Sequence, residues 1–412
     1  MGGLSRRFLN LIMDKRIHGV RSLRCIDITR QQFFNITKPA ESPDGKGSVS
    51  EGPQDAPTSR ETPAVAGGQG NKQVAGDSLN MEKIWLPSPS FSIRGSTSDL
   101  SDQLMHFFPI TDRRVVCVDQ LGRGVLLEAD TGNVVMMPPL HKPKLMPISL
   151  SVLSPDLDDH DHDGGIRSNL FVMERILKPE PSSMEPTYQF EAFVYRKPAL
   201  TYFSKSWQCQ LLPSLPYVHN TKQWHSFPQI SSYAVVNGGS EICISVEGLG
   251  TYCLNTTSYT WTEVGKWTLP FNGKVEYVPE LKLWFGISAS DQTLAAADLS
   301  AMDSQPQLLG RWKELDLPEE WKECKDSQLI NLESGKFCIA RFLHTSTPKG
   351  DTGDELIDQN LDVLTGVDVA LHAHCSNANA NKGSGRVELK FSSHKSRCYK
   401  SNSSNGTISA VL

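Results

Sequence analysis

The sequence contains no C-x-x-C pair, although nine cysteines are scattered along its 412 residues. An odd number of cysteines in a chain of this length argues against a disulfide framework. Cys243 in EICISV and Cys338 in KFCIARF lie within apolar runs, a position typical of small buried hydrophobic residues. This cysteine usage favours a reducing compartment, and we expect the cytoplasm, the nucleus or both.

Long hydrophobic runs and an excess of basic charge are also absent. The longest apolar runs fall far short of the roughly 18 residues that a membrane-spanning helix needs, so we expect no membrane partner. The net charge is -5 and the pI about 6.1, whereas nucleic-acid binders usually carry a basic face. We therefore expect no nucleic-acid partner either.

Catalytic and nucleotide-binding signatures are missing as well. The sequence has no G-x-S-x-G elbow, no HExxH, no kinase motif set and no P-loop. The set of Ser-x-x-Lys with Ser-Asp-Asn and Lys-Thr-Gly is not present either. Gly122 and Gly124 begin a dinucleotide fingerprint, but Leu127 stands where its last glycine belongs, so this stretch is typical of a hairpin turn. We predict a protein that is not an enzyme and has no cofactor.

Residues 1–20 form a basic, amphipathic N-terminal segment. Leu4, Phe8, Leu11 and Ile12 recur at helical spacing. The segment is interpreted as a short basic helix that packs on the domain or stays mobile. The alternative is a mitochondrial or plastid transit peptide, which shares this Arg-containing, acid-poor pattern.

Polar stretches divide the rest of the chain. Residues 37–80 are rich in Pro, Gly, Ser and charge and contain no aromatic residue, which predicts a disordered linker. Mobile loops are predicted near 156–165, 345–354 and 375–385. The linker separates a strand-forming segment, 21–36, from the main domain, 81–412.

Short strand-like runs fill this main domain. VVCVD, VLLEAD and VVMMP follow one another between turn residues, and YAVVNGGSEICISVEGLGTYCLN at 233–255 contains three further runs. A four-strand pattern recurs. It consists of a hairpin, a third strand that ends in a turn residue, and a fourth strand that often begins with Trp. The spacing predicts an all-β fold, a β-propeller of about six kelch-like blades. We expect segment 21–36 to complete the last blade together with the C-terminal strands.

One repeat carries the kelch-like pattern most clearly. Gly238 and Gly239 provide a tight connection after its first strand, while Trp261 and Trp267 are positioned to fill the gap between neighbouring blades. Kelch repeats carry a Tyr at a fixed distance before the Trp, whereas in this sequence that position falls near Leu254.

Five segments resemble one plant family. They are SRRFLNLI, GVRSLRCIDITR, FEAFVYR, SYAVVNGGSEICISVEGLGTYCLN and FFPITDRRVVCVDQLGRGVLLEADTGNVVMMPPLHKPKLMPISL. The family is a domain-of-unknown-function family that is expanded in rice and other grasses. The resemblance covers nearly the whole chain outside 37–80. It implies a plant origin and a kelch or F-box-associated style of propeller, although no F-box-like helical domain is visible.

Two motifs are weak metal candidates. Asp159, Asp161, Asp163 and Gly164 match the opening of an EF-hand loop, but the twelfth position, where calcium needs a bidentate carboxylate, is a leucine. His372 and His374, followed by Cys375, lack a placed further ligand for zinc. We interpret both stretches as solvated polar loops or strand ends and predict no metal site.

The tryptophans are the remaining indicators of function. Most of the eight lie in the repeat region, where inter-blade packing is their expected role. Trp224, flanked by Lys222 and His225 in HNTKQWHSF, is the best candidate for an exposed partner-binding anchor.

The resulting hypothesis is a non-catalytic propeller that binds an unknown protein partner, since loops on a rigid scaffold commonly carry function. The first alternative is a hydrolytic or carbohydrate-active propeller enzyme with loop-borne carboxylates around a central channel. The second is a diverged family member with little retained activity.

Overall fold

The computed structural model describes eleven stretches of the chain. They are residues 6–15, 19–35, 81–94, 104–154, 168–178, 188–197, 205–216, 227–348, 356–373, 387–401 and 406–412. Within them the chain forms 25 β-strands and one 3-10 turn, Asn237–Gly239, with no α-helix. In these stretches no helix has the length and hydropathy to cross a membrane. The protein is all-β in the part of the chain that the structure describes.

The strands assemble into four-stranded antiparallel units, which we number I to VI in chain order. Unit I contains β5 (Met105–Pro109), β6 (Arg114–Asp119), β7 (Gly124–Glu128) and β8 (Val134–Met137). Unit II contains β9 (Pro147–Leu153), β10 (Ser168–Glu174), β11 (Phe190–Arg196) and β12 (Ser206–Leu211). Unit III contains β13 (Ile230–Val236), β14 (Glu241–Val246), β15 (Gly250–Asn255) and β16 (Trp261–Gly265).

The second half of the chain repeats this arrangement. Unit IV contains β17 (Phe271–Val278), β18 (Leu283–Ser288), β19 (Leu294–Ala297) and β20 (Leu308–Trp312). Unit V contains β21 (Lys322–Asn331), β22 (Lys336–Pro348), β23 (Leu356–Ala373) and β24 (Val387–Ser401). Unit VI contains β25 (Thr407–Val411), β1 (Phe8–Lys15), β2 (Val20–Asp27) and β4 (Phe91–Arg94).

Two additional pairings extend these units. The first strands of units III and IV, β13 and β17, pair in parallel and join the two units into one eight-stranded sheet. The short strand β3 (Glu82–Lys83) pairs in parallel with β24 on the outer edge of unit V. The chain therefore lays its own extended segment against one of its outermost strands.

The two ends of the described chain meet in unit VI. Strand β25 pairs antiparallel with β1, with Ile12 opposite Ala410 and Met13 opposite Ile408. Asn10 and Leu412 exchange both backbone hydrogen bonds beyond this ladder. Segment 21–36 contributes most of the next strand, β2, which belongs to the same unit as the C-terminal strand β25 but is separated from it by β1.

The helix predicted within residues 1–20 is wrong, because residues 8–15 form strand β1. Leu9, Leu11 and Met13 point to one apolar cluster, whereas Ile12 enters a second cluster on the opposite side. Alternate side chains of the strand therefore point to opposite faces, and both faces are buried. The helical spacing of the apolar residues is incidental.

Of the three predicted mobile loops, only part of 345–354 lies in the described stretches. Thr345 is buried and pairs with Gln359, and β22 continues in this ladder to Pro348. The start of this predicted loop is therefore strand. The loops 156–165 and 375–385 and the linker 37–80 lie outside the described residues.

Apolar clusters lie between the units. Six clusters each combine buried side chains of two units: I with II, II with III, III with IV, IV with V, V with VI, and VI with I. Each unit therefore packs against two others and buries both of its faces. This explains why strands such as β14 and β18 consist of almost continuous apolar residues.

Candidate functional site

A cavity with a volume of about 900 Å³ lies among the described residues. The first strand of every unit contributes to its wall: β5, β9, β13, β17, β21 and β25. Its charged lining residues are Arg6, Arg21, Asp112, Arg175, Lys274, Glu276, Asp326 and Glu333. The volume is in the range of ligand-binding pockets, roughly 300–1,000 Å³, and the lining carries equal numbers of basic and acidic groups.

Several of these charges neutralise one another. Arg175 of unit II meets Asp326 of unit V, with Nη1 and Oδ2 2.5 Å apart. Lys274 and Glu276, two residues apart on β17, form a second pair at 2.7 Å. The cavity is therefore polar, but much of its charge is already paired within the protein.

Arg6 has a buried hydrogen-bond donor in the cavity wall that lacks a partner among the described residues. Its Nη1 donates to the carbonyl of Asn331 at 3.3 Å, whereas its buried Nη2 has no hydrogen-bond partner among the described residues. Burial lowers the pKa of the Arg6 guanidinium, although the nearby carboxylates of Glu276 and Asp112 counteract this effect. The cavity thus offers one buried donor to a ligand or a water molecule.

A second polar cluster lies away from the cavity, where the segment after β8 meets unit II. The carboxylate of Glu191 is fully buried and accepts hydrogen bonds from Lys144 Nζ, from the backbone N–H and ring Nδ1 of His141, and from Cys209 Sγ. Burial alone would raise the pKa of Glu191, but the hydrogen bonds and charge of Lys144 outweigh it and hold the pKa below its usual value.

This cluster has ligand types that bind metals. One atom each from His141, Glu191 and Cys209 lie within 4.8 Å of one another, a combination that suits zinc. However, Lys144 already neutralises the carboxylate, and burial raises the pKa of the Cys209 thiol. The contacts of His141 and Lys144 with Glu191 attach the segment that connects units I and II to unit II. We call these three residues the Glu191 clamp.

The third feature is an apolar strip on β8, the outermost strand of unit I. Val134, Val135 and Met136 are 54%, 41% and 74% exposed, while Met137 is buried. The other side of β8 pairs with β7, and no described strand pairs with its outer edge. Exposed apolar side chains on a free strand edge are typical of binding surfaces.

The family of the chain follows from its match to a family model described as protein of unknown function (DUF1668), which covers residues 6–399. The chain belongs to the DUF1668 family. The resemblance to a domain-of-unknown-function family is thereby confirmed at this level. None of the curated proteins compared with this DUF1668 chain matches it.

Solved structures with similarity to the DUF1668 chain cover it in part. A structural genomics protein of unknown function from Bacteroides thetaiotaomicron is 10% identical over 59% of this chain and 55% of that chain, with a TM-score of 0.32. The match thus spans about half of that protein's length. The Cps50 (Swd1) β-propeller domain of Myceliophteria thermophila is 10% identical over 68% of this chain and 83% of that chain, with a TM-score of 0.34. The WD40 domain of SCAP from fission yeast is 11% identical over 74% of this chain and 69% of that chain, with a TM-score of 0.29.

The residues predicted as sites lie mostly outside the described stretches of the DUF1668 chain. This holds for Asp159, Asp161 and Asp163 and for the partner-binding candidates Lys222, Trp224 and His225. His372 lies exposed on β23 opposite Glu388, whereas His374 and Cys375 are outside the described residues. These predictions stay untested.

Several tryptophans of the repeat region that the structure describes pack between units, as predicted. Trp261 of unit III donates from Nε1 to the carbonyl of Pro213 at 2.8 Å, and its ring lies 5.4 Å from that of Phe190 in unit II. Trp284 of unit IV donates to a carbonyl of unit III, and Trp312 stacks on an aromatic ring of unit V. Gly238 and Gly239 adopt positive φ angles of 64° and 98° in the turn that was assigned to them.

Sequence reasoning missed the Glu191 clamp and the cavity charges. One signal for the clamp was present, because Glu191 is the only acidic residue in the apolar run FEAFVYR. A carboxylate buried in such a strand needs a cationic partner, but the sequence does not reveal that Lys144 provides it.

Proposed function

We propose that this DUF1668 chain is a six-bladed β-propeller of kelch-like type that acts without catalysis and binds another protein. In this proposal the six four-stranded units are the blades. Units III and IV are two blades whose innermost strands happen to pair. Unit VI is the blade that contains both chain ends and joins the ring.

The packing of the units supports the ring. The six inter-unit clusters follow the chain order and return from unit VI to unit I. The first strands of all units line a common cavity, as innermost propeller strands do around a channel. Small-angle X-ray scattering tests this architecture, since a compact disc and an open array of sheets scatter differently.

The single observation that carries the interaction function is the exposed strip of Val134, Val135 and Met136 on β8. Exposed apolar side chains on consecutive residues of an outermost strand favour a surface that a partner covers. The strip lies on a strand whose inner neighbours are rigidly packed, so a partner meets a preformed surface.

Affinity purification from plant tissue tests the interaction function. Wild-type protein, Met136→Lys and a matched control, Leu309→Lys on the exposed edge of unit IV, are each used as bait. We expect a partner that the wild type and Leu309→Lys retain and Met136→Lys loses. If no protein depends on Met136, the β8 strip is not the interaction surface and the proposal fails.

The cavity favours a second candidate function, a propeller enzyme with carboxylates around a central channel. Asp112, Glu276, Asp326 and Glu333 line it together, and glycoside hydrolysis needs a pair of carboxylates. A panel of chromogenic glycosides and esters tests this alternative. Turnover that Glu276→Gln abolishes would replace the non-catalytic proposal, and no turnover on the whole panel speaks against an enzyme.

For the compartment we propose the cytoplasm, the nucleus or both in a plant cell, because cysteines occur as free thiols in the described residues. Mitochondrion or plastid through residues 1–20 is the alternative. Strand β1 supports the first proposal, since cleavage within residues 8–15 would remove a packed strand. Fluorescent tagging at the C-terminus distinguishes the two compartments.

The remaining alternative is a diverged family member with little activity. It predicts low abundance of the tagged protein in the same experiment.

A further inference from the structure

Strand β8 has a hydrogen-bonding edge that pairs with no other described strand, as well as exposed side chains. The backbone N–H of Glu128 donates to the carbonyl of Asn133, so these two residues form a hydrogen-bonded pair. In an antiparallel ladder such pairs alternate with pairs that are not hydrogen-bonded. Val134 and Met136 fall in the second kind. Their N–H and C=O groups therefore point away from β7, toward the outer side.

The other free outermost strands carry polar residues that β8 lacks. Strand β12 contains Gln208 and Gln210, β16 contains Glu263, and β20 contains Arg311. Glu263 and Arg311 also form ion pairs at the surface. Charged or polar residues on an edge strand discourage the addition of another strand. Strand β8, with the sequence VVMM, has no such residue.

The structure already contains one example of strand addition, in which a short strand of the chain pairs with an outermost strand of the same chain. Glu82 and Lys83 form β3 and pair with Arg397 and Cys398 on β24, the outermost long strand of unit V. The contact continues with a backbone hydrogen bond of 2.8 Å from Ile84 to Cys398 and an ion pair of 2.6 Å between Glu82 and Arg397. An outermost strand of this architecture thus pairs with an extended segment on one side while it stays paired within its unit on the other.

From these observations we infer that β8 binds an extended, uncharged apolar segment of a partner protein by strand addition. The inference rests on the proposed interaction function and specifies how that function is carried out. The partner segment forms backbone hydrogen bonds with Val134 and Met136 and places alternate apolar side chains against the strip. Main-chain bonds then supply affinity and the strip supplies the preference for apolar residues.

Substitutions of Met136 separate backbone pairing from simple apolar contact. Met136→Pro removes the outward N–H yet leaves the bonds to β7, because its pair with Val125 is not hydrogen-bonded. Met136→Leu keeps both the N–H and the apolar surface and is the matched control. Met136→Lys keeps the N–H and introduces charge. Circular dichroism and thermal midpoints verify that all variants remain folded.

The probe is a phage-displayed library of short random peptides selected on the purified full chain, with affinities of selected peptides measured by fluorescence anisotropy. We expect apolar, Pro-poor peptides that bind wild type and Met136→Leu equally and bind Met136→Pro about tenfold or more weakly, as the loss of main-chain bonds dictates. Two N-methylated versions of a selected peptide, one modified at the odd and the other at the even residues, test the pairing further. We expect only the version whose methyl groups lie on the edge facing β8 to lose binding.

Two outcomes would overturn strand addition. Peptides that bind Met136→Pro as well as wild type but lose binding to Met136→Lys would show apolar docking without backbone pairing, and the interaction function would survive. If the library yields no peptide that depends on Met136, strand addition at β8 is wrong. The affinity purification with Met136→Lys then decides separately whether the interaction function fails as well.

Discussion

Arg175 and Asp326 are separated by 151 residues in the chain, yet Nη1 of the first lies 2.5 Å from Oδ2 of the second. The pair joins units II and V, which share none of the apolar clusters. Their side chains are 26% and 53% exposed, so solvent screens the attraction. We expect Arg175→Met to change the free energy of unfolding by less than about 1 kcal/mol in urea titrations. A loss several times larger would show that this pair, rather than the apolar clusters, holds the two units together.

The ion pairs of Arg341 differ because its guanidinium and the carboxylate of Glu314 are buried. Its guanidinium donates to Glu314 and Glu323 and also to the carbonyl of Gln292. Arg341→Met leaves the buried Glu314 carboxylate without its cation, which should cost about 3–5 kcal/mol of unfolding free energy. Urea denaturation measures the effect. Arg311→Met, at an exposed pair, is the matched control and should cost less than about 1 kcal/mol.

Asp362 should make the protein less stable as the pH rises. Burial raises the pKa of this carboxyl to about 6, although it accepts a hydrogen bond from the N–H of Ile408. Between the ordinary value of 3.8 and about 6 the folded state binds more protons than the unfolded chain, so the free energy of unfolding falls as the pH increases through this window.

Asp362→Asn tests this pH dependence, because the amide keeps an acceptor for Ile408 but cannot ionise. We expect it to raise the free energy of unfolding at pH 7 by about 1–3 kcal/mol and to remove this group's part of the pH dependence. Urea titrations at several pH values provide the measurement. Asp358→Asn, at an exposed position of the same strand, is the control. An Asn variant that is less stable than wild type at pH 7 would contradict the argument.

Ile408 tests the contact between the chain ends. Its side chain is fully buried in the cluster between units V and VI. Ile408→Ala removes buried methyl groups and should cost about 2–5 kcal/mol. The exposed Leu309→Ala should stay within about 0.5 kcal/mol of wild type. If both variants unfold at the same denaturant concentration, the C-terminal strand does not contribute to global stability.

Lys144 tests the clamp on Glu191. Lys144→Met leaves a fully buried carboxylate without its ammonium partner and should destabilise the fold by about 3–5 kcal/mol at pH 7. In the wild type the pKa of Glu191 is lowered in the folded state. Its contribution is therefore complete above the unfolded value of 4.5 and is lost as the pH falls through the folded one. Thermal unfolding of the two proteins at pH 7 and pH 4 measures both effects.

Local patterns predicted much of the secondary structure. The runs around Val115, Val125 and Val134 became consecutive strands of unit I, and the Gly238–Gly239 turn has the positive φ angles that it requires. These features depend on neighbouring residues alone. The prediction for residues 8–15 failed for the opposite reason, since the choice between helix and strand there depends on clusters built from distant units.

The sites were less predictable than the strands. Asp326, Arg175 and Arg6 reach one cavity because the first strands of their units converge, and no spacing in the sequence expresses that convergence. Glu191 was recognisable as an anomaly within an apolar strand, but its partners His141 and Lys144 come from another segment.

The sequence by itself determined that this protein is built from short β-strands, because alternation of apolar residues and the placement of turn residues act over a few positions. Tertiary structure alone decided which strands share a sheet, which charges neutralise each other and which strand edge stays free. Those outcomes depend on burial between segments far apart in the chain, and burial is a property of the assembled units rather than of any one of them.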